Sequence, residues 1–257
     1  MRVPRTGHGR GLTLRSGGPG RTSVTPLIDA TEMYLRTVWE LEEEGITPIR
    51  ARLVERLGLS APAVSETVTR LEAEGLMRMA ADRTLGLTEK GREIAMSVMR
   101  KHRLAERLIV DVIGVEWELS HNEACRWEHV ISDHVEQRIA ELLGEPDRCP
   151  HGNPIPSPGD EERAADTVHP PARAGLSTLA EAARKVQRAR IARISEMLQG
   201  DVPTMSDFVR HGIVPGARVE LSSGPTGVTL RPLDGEAVEA LALAPDAAEL
   251  VYVERLD

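Results

Sequence analysis

Four side chains able to bind a metal ion share one helical face within nine residues, in the run His121-Asn-Glu-Ala-Cys125-Arg-Trp-Glu128-His129. On a helix, His121, Cys125, Glu128 and His129 sit at offsets of zero, four, seven and eight, on one stripe that ordinarily packs into a core. Polar groups on an inward face are costly unless something pairs with them, and a cation would. Upstream, His102 and Glu106 lie four apart and share a face of their own helix. Two antiparallel helices would bring the two sets together. Any one of the six alone reads as a satisfied core histidine or a solvated charge, whereas the six together point to a metal. Thiolate, imidazole and carboxylate suit a borderline transition ion, while magnesium or calcium would ask for oxygen alone. Cys125 serves only as a reduced thiolate, which makes the site sensitive to oxidation.

The elements that must position these groups follow from apolar spacing and stop signals. Leu27–Glu44 carries Leu27, Ile28, Met33, Tyr34, Leu35, Val38 and Leu41 at helical spacing and closes at Gly45. A short helix, Arg50–Leu57, ends at Gly58. Ser60 then caps a helix over Ala61–Glu74, with Pro62 in its first turn and Val64, Val68 and Leu71 on one face. Two strand-like runs, Leu76–Ala80 and Thr84–Leu87, flank a turn at Asp82-Arg83. Helix, helix–turn–helix, hairpin is the order of a winged helix. Thr88 caps a long helix expected to reach about Val112, followed by helices over Glu118–Val130 and Asp133–Leu143. Gly144–Gly175 holds many of the 17 prolines and reads as a linker. Beyond it, runs at Val186–Ile194, Arg218–Leu221, Val228–Leu230 and Leu250–Val253, separated by turn signals, predict a small β-barrel.

Composition narrows the function. The first 26 residues hold five arginines and no acid, with no apolar stretch of a secretory signal, and read as a disordered basic extension. No apolar run approaches the roughly 18 residues of a membrane span, so no membrane partner is expected. Two cysteines, Cys125 and Cys149, make no disulfide framework and favour a reducing cytoplasm. A net charge of −8 argues against coating nucleic acid by raw electrostatics, and 2% aromatic content argues against reading single strands by base stacking. No nucleophile–base pair or phosphate loop suggests an enzyme.

Four stretches carry a family resemblance: Ala30-Thr-Glu-Met33-Tyr-Leu-Arg-Thr, Val98-Met-Arg-Lys-His102-Arg-Leu-Ala-Glu106-Arg, Asn122-Glu-Ala-Cys125-Arg-Trp-Glu128-His129-Val and Gly152-Asn-Pro-Ile-Pro. The chain resembles the diphtheria-toxin-repressor family of iron-dependent regulators, nearly without gaps from Leu27 to Pro156 and more loosely to the C-terminus. The resemblance implies a mainly α protein with small β parts. It divides the chain into an N-terminal extension (1–26), a winged-helix DNA-binding domain (27–95), a helical dimerisation and metal-binding domain (96–145), a Pro-rich linker (146–175) and an SH3-like domain (176–257). It further implies a homodimer on double-stranded operator DNA, with two metal sites per subunit. Met33, Cys125, Glu128 and His129 would form the primary site, and His102, Glu106 and His121 the ancillary one. A Met at helical spacing is ordinarily core packing, and only the resemblance makes Met33 a ligand. The family's manganese-selective branch has acids at the Met33 and Cys125 positions. These two residues therefore favour Fe2+, with Mn2+, Co2+, Ni2+ or Zn2+ as substitutes. The family's C-terminal domain lends Glu and Gln to the ancillary site, and alignment sets Asp201 and Thr204 at those positions, with Asp201 a further candidate ligand. An anion pocket is implied at Arg103, Cys149 and Asn153, where Cys149 replaces the usual Ser as a filler or an added soft ligand.

Ala61–Glu74 would then be the recognition helix, entering the major groove by its N-terminus. Ser60, Pro62 and Ala63 suit thymine methyl groups. Arg50, Arg52, Ser65, Arg70 and Arg83 are candidate phosphate partners. Glu66 stands where relatives commonly carry Gln. As an acceptor it prefers cytosine N4 and is repelled by phosphate, which predicts an altered operator or weaker binding to the usual one. From Gly45 to Arg83 six arginines face five acids, so nonspecific affinity should be low. Rival readings are a manganese or zinc regulator on the same scaffold and a metal-buffering protein without DNA specificity.

Overall fold

The computed structural model describes residues 30–157, 175–234 and 239–256. The basic N-terminal extension, the expected helix start at Leu27 and the larger part of the Pro-rich linker lie outside those residues.

Helix α1 (Ala30–Glu43) buries Tyr34, Leu35, Val38 and Leu41, the apolar stripe its spacing predicts. α2 (Arg50–Leu57) stops at Gly58, in the left-handed region at φ 64°. α3 (Ala61–Ala73) starts where the Ser60 hydroxyl accepts from the Ala63 N–H at 3.4 Å, with Pro62 in the first turn. Strands β1 (Met77–Met79) and β2 (Leu85–Leu87) pair antiparallel. Leu53, Val64, Val68, Leu71 and Leu85, all fully or almost fully buried, join the α1 stripe in one core. This is the expected winged helix–turn–helix.

Helix α4 (Glu89–Arg107) is capped by the Thr88 hydroxyl, which accepts from Gly91 N–H at 3.1 Å. A Cβ on Gly91 would lie 1.9 Å from the Leu76 carbonyl oxygen, so the glycine lets α4 start hard against the hairpin. The helix does not run on to Val112 in α form. From Leu108 to Ile113 it widens into a π-helical turn, through Ile109, Val110, Val112 and Ile113, whose branched side chains crowd an α-helix. The expected helix over Glu118–Val130 is also split: a 3-10 turn (Trp117–Leu119) leads into α5 (Ser120–Trp127), and Glu128 and His129 fall in the turn that ends it. α6 (Asp133–Leu142) follows. The apolar clusters here are small, built on Leu104, Ile139 and Ile155 and on Ala105, Ile109 and Ala124.

The C-terminal part is a six-stranded antiparallel sheet in the order β3-β8-β4-β5-β6-β7. Its strands are β3 (Ser177–Thr178), β4 (Arg188–Ile194), β5 (Arg218–Gly224), β6 (Gly227–Pro232), β7 (Leu241–Leu243) and β8 (Val251–Leu256). Short helices α7 (Leu179–Ala182), α8 (Glu196–Gln199), α9 (Val202–Arg210) and α10 (Pro245–Ala248) close it around Ile191, Phe208, Val219, Leu230 and Val253. It is the SH3-like domain. β3 and β7 fall outside the runs that the spacing predicts. Among the described residues no helix is long and apolar enough to cross a membrane.

The candidate metal centre and the DNA-contacting face

α4 and α5 pack against each other, and α1 lies across α4. That arrangement places the metal-competent residues in two adjoining clusters. In the first, α1 supplies Met33 and α5 with its terminal turn supplies Cys125, Glu128 and His129; all four line one cavity of about 330 Å³. His129 Nε2 lies 3.1 Å from Glu128 Oε1, and His129 Nδ1 lies 2.5 Å from Glu32 Oε2. Arg36, one turn beyond Met33, places Nη1 2.6 and 2.7 Å from the two Glu128 oxygens and 3.6 Å from Cys125 Sγ.

Electrostatics follow from this geometry. Burial raises the Cys125 thiol, but Arg36 and His121 outweigh it and bring the pKa down to about 4, so the sulfur is a thiolate at neutral pH. Burial likewise raises Glu128, and Arg36 and His102 hold it far below the ordinary carboxylate range. Hydrogen bonds to Glu128 and Glu32 lift His129 to about 9.

The second cluster is wholly buried. His102 Nε2 lies 3.0 Å from Glu106 Oε1, 3.2 Å from His121 Nδ1 and 3.3 Å from Glu196 Oε2. His121 Nδ1 is also 3.3 Å from Glu196 Oε2. His102, Glu106, His121 and Glu196 offer ligand atoms all within 4.8 Å of one another. The clusters are joined, since His102 Nδ1 lies 2.6 Å from Glu128 Oε2. Burial lowers both His102 and His121, yet both end well above the ordinary histidine value. Glu106, Glu196 and Glu128 hold the His102 proton; Cys125, Glu106 and Glu196 hold that of His121.

Asp201 is not part of this cluster. It is exposed, and its carboxylate accepts from Thr204 Oγ1 at 2.7 Å. The carboxylate from the C-terminal domain is Glu196, and Gln199 follows three residues on, with its amide oxygen buried and without a hydrogen bond. The Glu-x-x-Gln spacing that could have found them lies five residues before Asp201 and Thr204. This segment resembles the family only loosely, which leaves the register of the two positions open.

The loop after α6 adds another face to the second cluster. Gly152, at φ 85°, allows it to sit on β4, where a Cβ would come within 2.1 Å of the Ala192 carbonyl oxygen. Cys149 and His151 on this loop form a further buried group with Glu106. His151 Nδ1 is 3.3 Å from Glu106 Oε1, and Nε2 makes no hydrogen bond. Burial, Glu106 and Glu196 push the Cys149 thiol up. His151 stands apart from the spaced ligand pairs and gives no signal of its own in the sequence.

Arg103 is fully buried and satisfied by protein. It donates to Glu43 at 3.0 and 2.6 Å, to Glu196 at 3.0 Å and to the Pro154 carbonyl at 2.5 Å. Asn153 accepts from Arg193 at 3.0 Å and donates to the Ile194 carbonyl at 2.9 Å. Carboxylates of α1 and α8 therefore meet the guanidinium expected to hold an anion. The C-terminal end of α1 is tied further, since Glu44 accepts from both Arg56 and Ser195.

Ser60, Pro62, Ala63, Glu66 and Arg70 are exposed on and before α3, with Ser65 half-buried. Arg83 stands exposed in the hairpin turn at φ 69°. Arg52 and Arg70 donate to Glu55 and Glu74, each at 2.8 Å, and Arg50 lies 3.8 Å from Glu72. A phosphate would have to compete with those acids.

Comparison with known proteins agrees with this architecture part by part. Residues 26–85 match the N-terminal DNA-binding domain of iron-dependent repressors, and residues 88–157 match their metal-binding and dimerisation domain. The chain belongs to the iron-dependent repressor family. The repressor is 48% identical over 236 residues to the iron-dependent repressor IdeR of Mycobacterium tuberculosis strain H37Rv, covering 90% of this chain and 99% of that protein. It is 44% identical over 233 residues to the diphtheria toxin repressor of Corynebacterium diphtheriae, covering 90% and 99%. Among solved structures, a manganese-dependent transcriptional repressor in complex with manganese superposes with a TM-score of 0.72 at 30% identity, over 88% of this chain and all of that one. IdeR of T. acidophilum superposes at 0.66 and 27% identity, over 87% and 96%. The repressor is thus a metal-dependent, DNA-binding transcriptional regulator.

Proposed function

We propose that the repressor is a homodimer activated by ferrous iron, with two metal sites per subunit, that binds double-stranded operator DNA and controls metal-homeostasis genes. The primary site is Met33, Cys125, Glu128 and His129. The ancillary site is His102, Glu106, His121 and Glu196, with Gln199 as a further oxygen donor and Cys149 and His151 against its Glu106.

The donor chemistry fits a metal. Glu106 Oε2, Gln199 Oε1 and His151 Nε2 are buried without a hydrogen-bond partner among the described residues, an arrangement a cation would relieve. A thioether and a thiolate beside one carboxylate and one imidazole favour Fe2+ over Mn2+, which prefers oxygen. One observation carries the regulatory reading: Met33 comes from α1, which forms part of the winged-helix core, whereas the other primary ligands come from α5 and its terminal turn. A metal bridging them would supply positive charge that holds α1 to the dimerisation helices. Tyr34 and Leu35 next to Met33 would carry that constraint into the core on which α3 rests, favouring one presentation of the recognition helices.

Exposed apolar side chains support dimerisation. Val112, Ile113, Val130 and Leu142 are 56%, 53%, 73% and 65% exposed, all within the segment matching the dimerisation domain.

The test is selection of operator sequences from a random pool under anaerobic conditions, with Fe2+ stoichiometry measured in parallel. The expected outcome is two Fe2+ per subunit and enrichment of a twofold-symmetric sequence only when iron is present. Iron binding with no enrichment would instead identify a metal-buffering protein.

A further inference from the structure

One nitrogen of Arg36 sits between two of the primary residues, Cys125 and Glu128. Both Glu128 oxygens and the Cys125 sulfur point at Nη1, while Glu40 anchors Nε at 2.6 Å. Arg36 lines the same cavity as Met33, Cys125, Glu128 and His129, and its side chain is only 12% exposed. A single cationic nitrogen facing a carboxylate and a thiolate has the surroundings of a bound cation, at hydrogen-bond rather than coordination distances.

We propose that Arg36 is a built-in counter-cation of the primary site, holding Cys125 and Glu128 in the metal-free protein, and that a metal binds there only by displacing it. This rests on the primary-site reading given above.

Two consequences follow. The guanidinium neutralises buried charges that would otherwise repel, so the metal-free site remains packed instead of opening. Metal must then compete with an intramolecular cation, which raises the concentration needed for binding and sets the threshold of the switch. Arg36 and Met33 lie three residues apart on α1. The exchange therefore replaces one tether between α1 and α5 with another, one turn earlier. Arg36 keeps Glu40 as a partner when it leaves.

The probe is Co2+ added anaerobically to the metal-free full chain, with the thiolate-to-cobalt absorption reporting the Cys125 site. Wild type should show this band, and Arg36→Gln and Arg36→Met should bind Co2+ at that site at least tenfold more tightly. Arg36→Lys, which keeps the charge but presents a single ammonium, should fall between. Without added metal, both uncharged variants should melt at lower temperature than wild type, and saturating Co2+ should remove most of the difference.

A measurement on wild type needs no variant: modification of Arg36 by phenylglyoxal, followed by peptide mass analysis, should be slow without metal and faster with Co2+. Equal or weaker Co2+ binding in both uncharged variants would overturn the proposal, because Arg36 would then support the metal. Unchanged phenylglyoxal reactivity would overturn it as well. Absence of the thiolate band in wild type and variants alike would remove the primary-site reading itself, and the proposal with it.

Discussion

The winged-helix domain and the helical middle of the repressor are held together by different physics. The first closes over a dry core in which Leu35, Val38, Leu53, Val64, Val68 and Leu71 are each fully buried. The second has only small apolar clusters, and much of its interior is His102, Arg103, Glu106, His121 and Glu128, all buried. A dry core stabilises itself in any ionic condition. An ionic interior is stable only while its charges are matched, so its stability depends on which cation is present. That difference is what the proposed function draws on: a metal-responsive middle beside a DNA-reading part whose core holds without metal.

The largest effect is expected in the dry core. Leu71→Ala should cost about 3 kcal/mol. The loss, read by denaturant unfolding, should be the same with and without metal; a metal-dependent loss would mean that the two regions are not separable in this way. Next in size, Cys125→Ser should remove the metal-induced stabilisation of the primary site. At a hundredfold excess over Kd that stabilisation is about 2.7 kcal/mol. The variant should also melt below wild type in the absence of metal, because it lacks the thiolate that Arg36 and His121 hold, and it should gain much less on titration with Co2+.

How far the sequence announces each region follows the same division. The winged helix is legible because its signals are local: the Ser60 cap, the Pro62 first turn and the glycines at 45 and 58 each act within a turn of where they stand. His121, Cys125, Glu128 and His129 are legible because one short segment carries them all. Glu196 is not, because it reaches His102 from 94 residues away through a fold no local pattern reports. Arg36 reads as an ordinary surface cation of α1 until α5 is packed against it. The π-helical turn at Leu108–Ile113 is visible only as a run of branched residues, which is also what a strand would show.

A smaller effect is expected on the reading face. Glu66→Gln should restore a side chain able to pair with adenine N6 and N7, strengthening binding to the family's usual iron box by roughly 1 kcal/mol, the low end for one base contact. Equal affinities of the two proteins in anisotropy titrations at one fixed salt concentration would remove Glu66 from the contact.

A further effect is a matter of pH. With its folded value near 4, below that of an ordinary thiol, the Cys125 thiolate contributes stability that grows as pH rises from about 4 towards the ordinary thiol range. That contribution is lost as pH falls through 4. In the metal-free protein, alkylation of Cys125 by iodoacetamide should be nearly independent of pH between 6 and 8, where an ordinary thiol would slow about tenfold per unit. Cys149, buried and pushed up, should not react. A slope of one decade per pH unit at Cys125 would show that its thiolate is not held by Arg36 and His121.

In the proposed function, a cation in the Met33–Cys125–Glu128–His129 cluster governs how α3 is presented to DNA. The most direct test is anaerobic titration of the metal-free repressor with Fe2+, followed by fluorescence anisotropy of a labelled operator. Operator binding should rise with Fe2+ occupancy in wild type and fail to rise in Met33→Ala, although that variant still folds. Full operator affinity in the metal-free wild type, or full iron-dependent affinity in Met33→Ala, would contradict it.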